Sequence, residues 1–189
     1  IFCPVGRYYV ESLQGYTHAG LEGEGEGVSH SSVALNHGFI TEFIQVPGTT
    51  GHMFVFDNNS DITGTRPDDG SIADVSIRKM QLRGDYLLGG AGPTNHVIYA
   101  GDGVRFTQGV HIEDLLIANF KGSGLYTTGF PIPSIFRNIW ARSLGGDVIT
   151  LTAALRNDKV GHLYSFDAIQ GDFIEGAIVR VDATAIRDA

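Results

Sequence analysis

Several features that define common protein classes are scarce in this sequence, and each shortage argues against a class of structure or of binding partner. It has one cysteine, Cys3, so no disulfide can form within the chain. Charged residues make up only 18%, with no basic cluster and a formal net charge of −8. An acidic surface repels phosphate backbones, so we expect no nucleic-acid partner. No apolar run approaches the roughly 20 residues that span a bilayer, so no membrane insertion is expected.

Motifs for metals and cofactors are missing as well. The seven histidines include no His-x-His or His-Glu-x-x-His spacing, so the sequence predicts no metal site. The stretch 23–27 alternates glycine with glutamate, whose carboxylates would repel a pyrophosphate, so it is not a dinucleotide-binding fingerprint. We therefore expect no cofactor.

Glycine and apolar residues, in contrast, are plentiful. The 189 residues include 26 glycines, and 42% are hydrophobic. This balance indicates many short elements joined by tight turns rather than a helical bundle. The β-branched and aromatic residues favour strands in the same way.

An internal repeat is the strongest pattern. Apolar residues in the stretch 112–125 recur 24 positions later, at Phe136, Ile139, Ala141, Leu144 and Ile149. A second shift of 24 predicts the next copy at Val160, Leu163, Ser165 and Ala168, after which one extra residue aligns 171–174 with 146–149. An earlier copy can be read 40 positions before this stretch, at Ile72, Val75, Ile77 and Met80. The excess length predicts an inserted loop near residues 84–101.

The spacing within each copy predicts the fold. Apolar positions fall at steps of three, two and three, where a step of two marks a strand and a step of three carries a bend. Three short strands then form one triangular turn, and neighbouring turns must stack to bury their interiors. Leu115, Ile139 and Leu163 are expected to lie over one another inside. The sequence lacks the leucine–asparagine pattern of leucine-rich repeats, and a β-sandwich would not keep so constant a register.

We therefore predict an all-β right-handed parallel β-helix with coils of about 24 residues. Residues 1–189 form a single segment, with irregular opening coils over 1–70 and regular coils over 70–189. The strand-like stretch 178–186 shows no capping helix, so we expect the natural protein to continue beyond both ends as a longer solenoid.

Specific motifs resemble a known superfamily. The run Phe2–Val10 (FCPVGRYYV), followed by Leu21-Glu-Gly-Glu-Gly, resembles the opening coil of pectin-lyase-like tailspikes. The stretches Val110–Phe120 (VHIEDLLIANF) and Gly146–Ile149 (GDVI) look like standard coils of that superfamily. Together these motifs cover nearly the whole chain, but they specify a fold rather than a reaction.

The resemblance implies a carbohydrate function. Members of the superfamily include polysaccharide hydrolases, lyases and esterases, and those on bacteriophage tails are usually homotrimers that bind and often cleave capsule or lipopolysaccharide. By this resemblance we expect a phage tailspike depolymerase in the virion tail, with a bacterial surface polysaccharide and other tail proteins as partners. A location outside a virion, as a secreted protein, is the alternative.

Three carboxylates are the candidate catalytic residues. A predicted ladder of Ser123, Asp147 and Asp172 precedes a strand on which Tyr126, Thr150 and Glu175 point outward. Asp147, Asp172 and Glu175 would form the paired carboxyl groups that glycosidic cleavage needs, with Tyr126 and Thr150 binding substrate. The alternative is a structural Gly-Asp corner, in which the aspartate binds nearby backbone amides.

A second outward ladder is predicted at Leu116, Trp140 and Tyr164. Large apolar groups on three consecutive coils are not ordinary solvent surface. They would form either the trimer interface or a platform for sugar rings.

Two other functions stay open. A spike that binds a glycan without cutting it would use the same scaffold. A monomeric secreted polysaccharide lyase would need a basic residue near an acidic sugar, and Arg137 and Arg142 are available for that role.

Overall fold

The described part of the chain is all-β. The computed structural model describes residues 1–15, 19–24, 40–56, 72–92, 94–100, 107–128, 134–152 and 164–182, and these ranges contain strands and turns but no helix. Within them, therefore, no helix is long and apolar enough to cross a membrane. The predicted all-β class is confirmed.

The strands form two parallel sheets that the chain visits in alternation. The first sheet contains β1 (Phe2–Cys3), β2 (Gly6–Val10), β4 (Gly20–Gly23), β5 (Thr41–Gln45), β7 (Ile72–Arg83), β9 (Thr107–Phe120), β11 (Ser134–Leu144) and β13 (Tyr164–Ile174). The second contains β3 (Leu13–Gly15), β6 (Phe54–Phe56), β8 (Ile98–Ala100), β10 (Leu125–Thr128), β12 (Ile149–Thr152) and β14 (Val179–Asp182). One visit to the first sheet followed by one to the second is called a repeat below.

Apolar residues at matching positions of successive repeats form the core. In the first sheet Ile77, Ile112 and Phe136 pair in register and are fully buried. In the second sheet Ile98 pairs with Leu125, which pairs with Ile149, and all three are buried. Apolar side chains from both sheets thus contribute to one hydrophobic cluster.

The long first-sheet strands bend at residues with left-handed backbone conformation. Lys79, Asp114, Asn138 and Ala168 have φ between 51° and 57°. The side-chain amide of Asn138 donates to the Asp114 carboxylate at 2.8 Å, which links two of these bends. The apolar step from Ile112 to Leu115 crosses such a bend, so a step of three does mark a change of direction.

The 24-residue register between β9 and β11 is confirmed. Phe136 pairs with Ile112, and Ile139 pairs with Leu115. The same offset carries into the second sheet, where Leu125 pairs with Ile149.

The predicted register of the next repeat is wrong. Ile139 pairs with Ile169, 30 positions later, and not with Leu163, which lies outside the described residues. Likewise Ile149 pairs with Val179, so 171–174 does not align with 146–149. Eleven residues separate β12 from β13, whereas five separate β10 from β11, and the extra six shift the register.

The register of the earlier copy is also corrected. Ile77 pairs with Ile112, an offset of 35 rather than 40. The apolar steps of two and three occur at Val75, Ile77 and Met80 and again at the residues that pair with them on β9. Because the steps are the same, the sequence pattern alone allows more than one alignment of the two strands. Part of the excess length lies between Arg83 and Ile98. These residues pair with Ala118 and Leu125, which are joined by a shorter segment.

Candidate functional site

Four aromatic side chains form a partly exposed row along the second sheet. Tyr99 on β8 pairs with Tyr126 on β10, and His52 and His96 occupy the preceding corner in two repeats. Their rings are stacked nearly parallel, with centroids 4.7 Å apart for His52 and Tyr99 and 4.4 Å apart for His96 and Tyr126. We call His52, His96, Tyr99 and Tyr126 the aromatic strip. Because the rings stack on one another, the strip presents ring edges and polar atoms rather than open ring faces.

Backbone hydrogen bonds fix the tautomers of both histidines. The N–H of His96 donates to Nδ1 of His52 at 2.9 Å, and the N–H of Ser123 donates to Nδ1 of His96 at 2.9 Å. An Nδ1 atom that accepts a hydrogen bond carries no proton, so in each neutral ring the proton is on Nε2. The strip therefore carries two Nε2–H donors, one in the repeat of β6 and one in the repeat of β8.

His96 stays neutral over a wide pH range. Burial lowers its pKa to about 4, helped by the neighbouring His52 and opposed by the Asp147 carboxylate. Burial also lowers the pKa of His52. A protonated imidazole would have to direct an N–H at the amide that now donates to it, which opposes protonation as well.

A polar cluster of Ser123, Asp147, Thr150 and Arg180 continues the row. The Arg180 guanidinium donates to both carboxylate oxygens of Asp147, at 2.8 and 3.1 Å. The Thr150 hydroxyl donates to Asp147 at 2.7 Å and lies 2.9 Å from the Ser123 hydroxyl oxygen. We call these four residues the Asp147 cluster.

The Asp147 carboxylate is held ionised. Burial raises its pKa, but hydrogen bonds from Arg180, the Ala177 N–H and Thr150 outweigh burial, so its pKa lies below its usual value. A general acid needs a raised pKa, and this carboxylate has the opposite. The geometry matches the structural alternative, in which the aspartate of a Gly-Asp corner binds neighbouring amides.

The serine and histidine at this corner do not form a nucleophile–base pair. His96 accepts its hydrogen bond from the backbone N–H of Ser123, not from the hydroxyl. The hydroxyl instead contacts Thr150, and Ser123 is only 4% exposed. Covalent catalysis needs a base hydrogen-bonded to the nucleophilic oxygen, and His96 does not make that contact.

The predicted ladder from Asp147 to Asp172 is wrong. Asp172 pairs with Arg142 on the first sheet, and its carboxylate accepts a hydrogen bond from the Trp140 indole N–H at 3.2 Å. Glu175 is likewise not stacked on Thr150, since Arg180 occupies that position. Glu175 instead accepts hydrogen bonds from the Tyr86 hydroxyl at 3.2 Å and the Gly89 N–H at 3.1 Å. Both carboxylates belong to exposed residues.

The two predicted substrate-binding residues differ in accessibility. Tyr126 is partly exposed and belongs to the aromatic strip. Thr150 pairs with Tyr126 as expected, but it is buried and its hydroxyl is used within the Asp147 cluster. Of the two, Tyr126 is therefore the one that a ligand can reach.

The second outward ladder is also corrected. Leu116 pairs with Trp140, but the next residue in register is Gln170, while Tyr164 pairs with Ser134. Leu116 and Trp140 are 7% and 9% exposed, so they do not form the exposed apolar surface that the sequence predicts. The observation that suggested a trimer interface or sugar platform at these positions is therefore absent.

His52, His96, Tyr99 and Arg180 were not identified from the sequence. A signal for the strip does exist, because His52-Met-Phe-Val-Phe and His96-Val-Ile-Tyr-Ala share a histidine followed by two apolar residues. Arg180 could not be found without the 30-residue offset.

Within the described ranges, no group of three or more histidine, cysteine, aspartate and glutamate side chains is arranged to hold a metal ion. Comparisons with protein-family models, curated proteins and solved structures gave no match for the chain.

Proposed function

We propose that the repeats wind as a right-handed parallel β-helix and that the protein is a tailspike-like homotrimer that binds a bacterial surface polysaccharide. Alternation between two parallel sheets supports the winding, because each return to a parallel neighbour needs a crossover and such crossovers are right-handed in nearly all proteins. The opening-coil and standard-coil motifs that resemble pectin-lyase-like tailspikes support the carbohydrate ligand.

The aromatic strip is the observation that carries the binding proposal. Its polar ring atoms follow the stacking direction through three successive repeats, with a histidine Nε2–H in the repeats of β6 and β8 and a tyrosine in the repeats of β8 and β10. A linear polysaccharide likewise repeats its hydroxyl groups along one direction. Stacked rings are rigid, so little side-chain entropy is lost when a glycan binds.

Binding of purified capsular polysaccharides and lipopolysaccharides from a panel of bacteria tests the proposal. For the glycan that binds, Tyr126→Ala is expected to weaken binding by about tenfold or more, because it removes a ring from the strip. Tyr9→Ala is the matched control, since Tyr9 is 64% exposed on β2 of the other sheet. Binding that neither variant changes would place the glycan elsewhere, and no binding across the panel would contradict the proposal.

Glycosidic cleavage is a second candidate function. Asp172 and Glu175 are both exposed and lie three residues apart at the end of β13, and cleavage requires two carboxyl groups near one another. If they cut the glycan, Asp172→Asn and Glu175→Gln each abolish product formation while binding persists. Asp167→Asn, on the same strand and also exposed, serves as the control. If the wild-type protein does not shorten the glycan, cleavage is contradicted and binding without cleavage is the function.

The oligomeric state separates the tailspike from the secreted lyase. A homotrimer is expected, and analytical ultracentrifugation measures it directly. A monomer that releases unsaturated sugar products would instead favour the lyase.

A further inference from the structure

A cavity of about 300 Å³ lies beside the aromatic strip. It is bounded by the turn after β5 and by the loop between β7 and β8, and Lys121 contributes from the next repeat. The cavity and the strip are adjacent in the chain, because Thr49 lines the cavity three residues before His52, and Asn95 lines it directly before His96. The volume is at the lower end for ligand sites, which suits a single sugar ring rather than a chain.

Hydrogen bonds hold the walls of the cavity together. The Asp85 carboxylate accepts a hydrogen bond from the Gly48 N–H at 3.1 Å, which joins the turn to the loop. Lys121 Nζ donates to the Gly92 carbonyl at 2.7 Å and holds the far end of the loop. Asn95 donates to Gln45, which anchors the loop to β5. The cavity is therefore preformed, which reduces the entropy lost on binding.

Glu175 fixes a third side of the cavity from a distant repeat. Its carboxylate accepts hydrogen bonds from the Tyr86 hydroxyl and the Gly89 N–H, so the turn at Leu87–Gly90 is held in one position. Tyr86, Leu87 and Gly90 line the cavity. Glu175 is thus a positioning residue for this wall, whatever other chemistry it performs.

The lining carries hydrogen-bonding groups of both kinds and no net charge. Lys121 supplies ammonium donors, Asp85 supplies carboxylate acceptors, and the two charges balance. Leu87 and Ala91 add apolar surface. A sugar hydroxyl both donates and accepts, and the C–H groups of a sugar ring need apolar contact. An anionic sugar would gain from Lys121 but be repelled by Asp85.

We propose that this cavity is a binding site for a single neutral pyranose unit, such as a branch or terminal sugar of the glycan that lies on the aromatic strip. The choice of ligand rests on the proposed polysaccharide function.

Saturation-transfer NMR on the purified protein tests the site, with methyl glucoside, methyl galactoside, N-acetylglucosamine and glucuronic acid as separate probes. At least one neutral sugar is expected to bind. Lys121→Met should raise its dissociation constant by about tenfold, the loss expected when a charged hydrogen-bond donor is removed. Ala91→Trp, which adds bulk to the lining, should block binding by a different route. Lys79→Met is the control, because Lys79 pairs with Glu22 and does not line the cavity.

The outcomes separate this site from the strip. Neutral-sugar binding that Lys121→Met and Ala91→Trp weaken, and that Tyr126→Ala and Lys79→Met leave unchanged, supports the cavity. Stronger binding of glucuronic acid than of the neutral sugars overturns the neutral ligand. If polysaccharide binds through Tyr126 but no monosaccharide binds, the cavity assignment fails and the proposed function stands. If monosaccharides bind in the cavity but no polysaccharide binds, the strip assignment fails instead.

Discussion

The Arg180 guanidinium donates to both oxygens of the Asp147 carboxylate across neighbouring repeats, at 2.8 and 3.1 Å. Asp147 precedes β12 and Arg180 lies on β14, so the ion pair ties one repeat to the next. The carboxylate side chain is 8% exposed and the arginine 58%, so solvent screens the cation more than the anion. Because the Asp147 carboxylate is the buried partner of the pair, we expect it to contribute chiefly to stability.

Asp147→Asn is expected to lower the free energy of unfolding by about 1–3 kcal/mol, because it leaves buried donors without a charged acceptor. The melting temperature measured by circular dichroism reports the loss. Asp167→Asn, at an exposed position on β13, is the control and should change stability by less than about 0.5 kcal/mol. Equal melting temperatures for wild type and Asp147→Asn would show that the ion pair contributes nothing to stability.

Stability is expected to fall as the pH drops from about 6.5 to about 4. The unfolded chain protonates its histidines near pH 6.5, whereas His96 in the folded protein has a pKa of about 4. Over this interval the unfolded state binds the extra proton, so acid favours unfolding. The lowered pKa of His52 acts in the same direction, and the lowered pKa of Asp147 extends the loss below its unfolded value of 3.8.

His96→Asn isolates the histidine contribution. The asparagine side chain can still accept the hydrogen bond from the Ser123 N–H, but it does not titrate. Urea unfolding at a series of pH values should therefore give a flatter profile between pH 6.5 and 4 for this variant. An unchanged slope would mean that His96 is not the group responsible.

Gly145→Ala is expected to displace the loop that carries Tyr86. A Cβ at position 145 would lie 2.6 Å from the Lys121 carbonyl oxygen and 3.2 Å from the Tyr86 hydroxyl oxygen, so the neighbours must move. We expect a loss of about 1–3 kcal/mol and faster hydrogen exchange at residues 84–92. Gly92→Ala, where a Cβ meets nothing within 4 Å, should leave exchange in the loop unchanged. Equal exchange in both variants would contradict this contact.

The periodicity of the sequence was sufficient to predict the strands but not every register. The offset between β9 and β11 could be found because Ile112 and Phe136, and Leu115 and Ile139, are apolar at both positions. The next strand carries the same signal at Phe166, Ile169 and Ile174, but its offset is 30 residues, so a constant period of 24 does not find it. Gly171, which pairs with Ala141, adds no hydrophobic signal of its own. A Cβ at Gly171 would approach Ile178 and Ile174 within 2.7 Å, so no larger residue fits without rearrangement.

The candidate site depended on that register. With the predicted offset, 24 residues plus one, Asp172 lies near Asp147 and suggests a carboxylate pair, whereas with the observed offset Arg180 lies there and neutralises it. The solvent exposure of individual side chains could not be predicted from the sequence pattern either. Leu116 and Trp140 occupy outward positions yet are buried. Alternation predicts which sheet face a side chain is on, but not whether other groups cover that face.

Changes in length between the sheets leave the paired strands intact. The number of residues from β12 to β13 is more than twice the number from β10 to β11, yet β11 and β13 remain in register along most of their length. The pairing of these strands therefore does not depend on the number of residues between β12 and β13. For protein engineering, the interval between Thr152 and Tyr164 is a natural place to introduce an epitope or a fluorophore-binding peptide while the hydrophobic columns on either side are preserved.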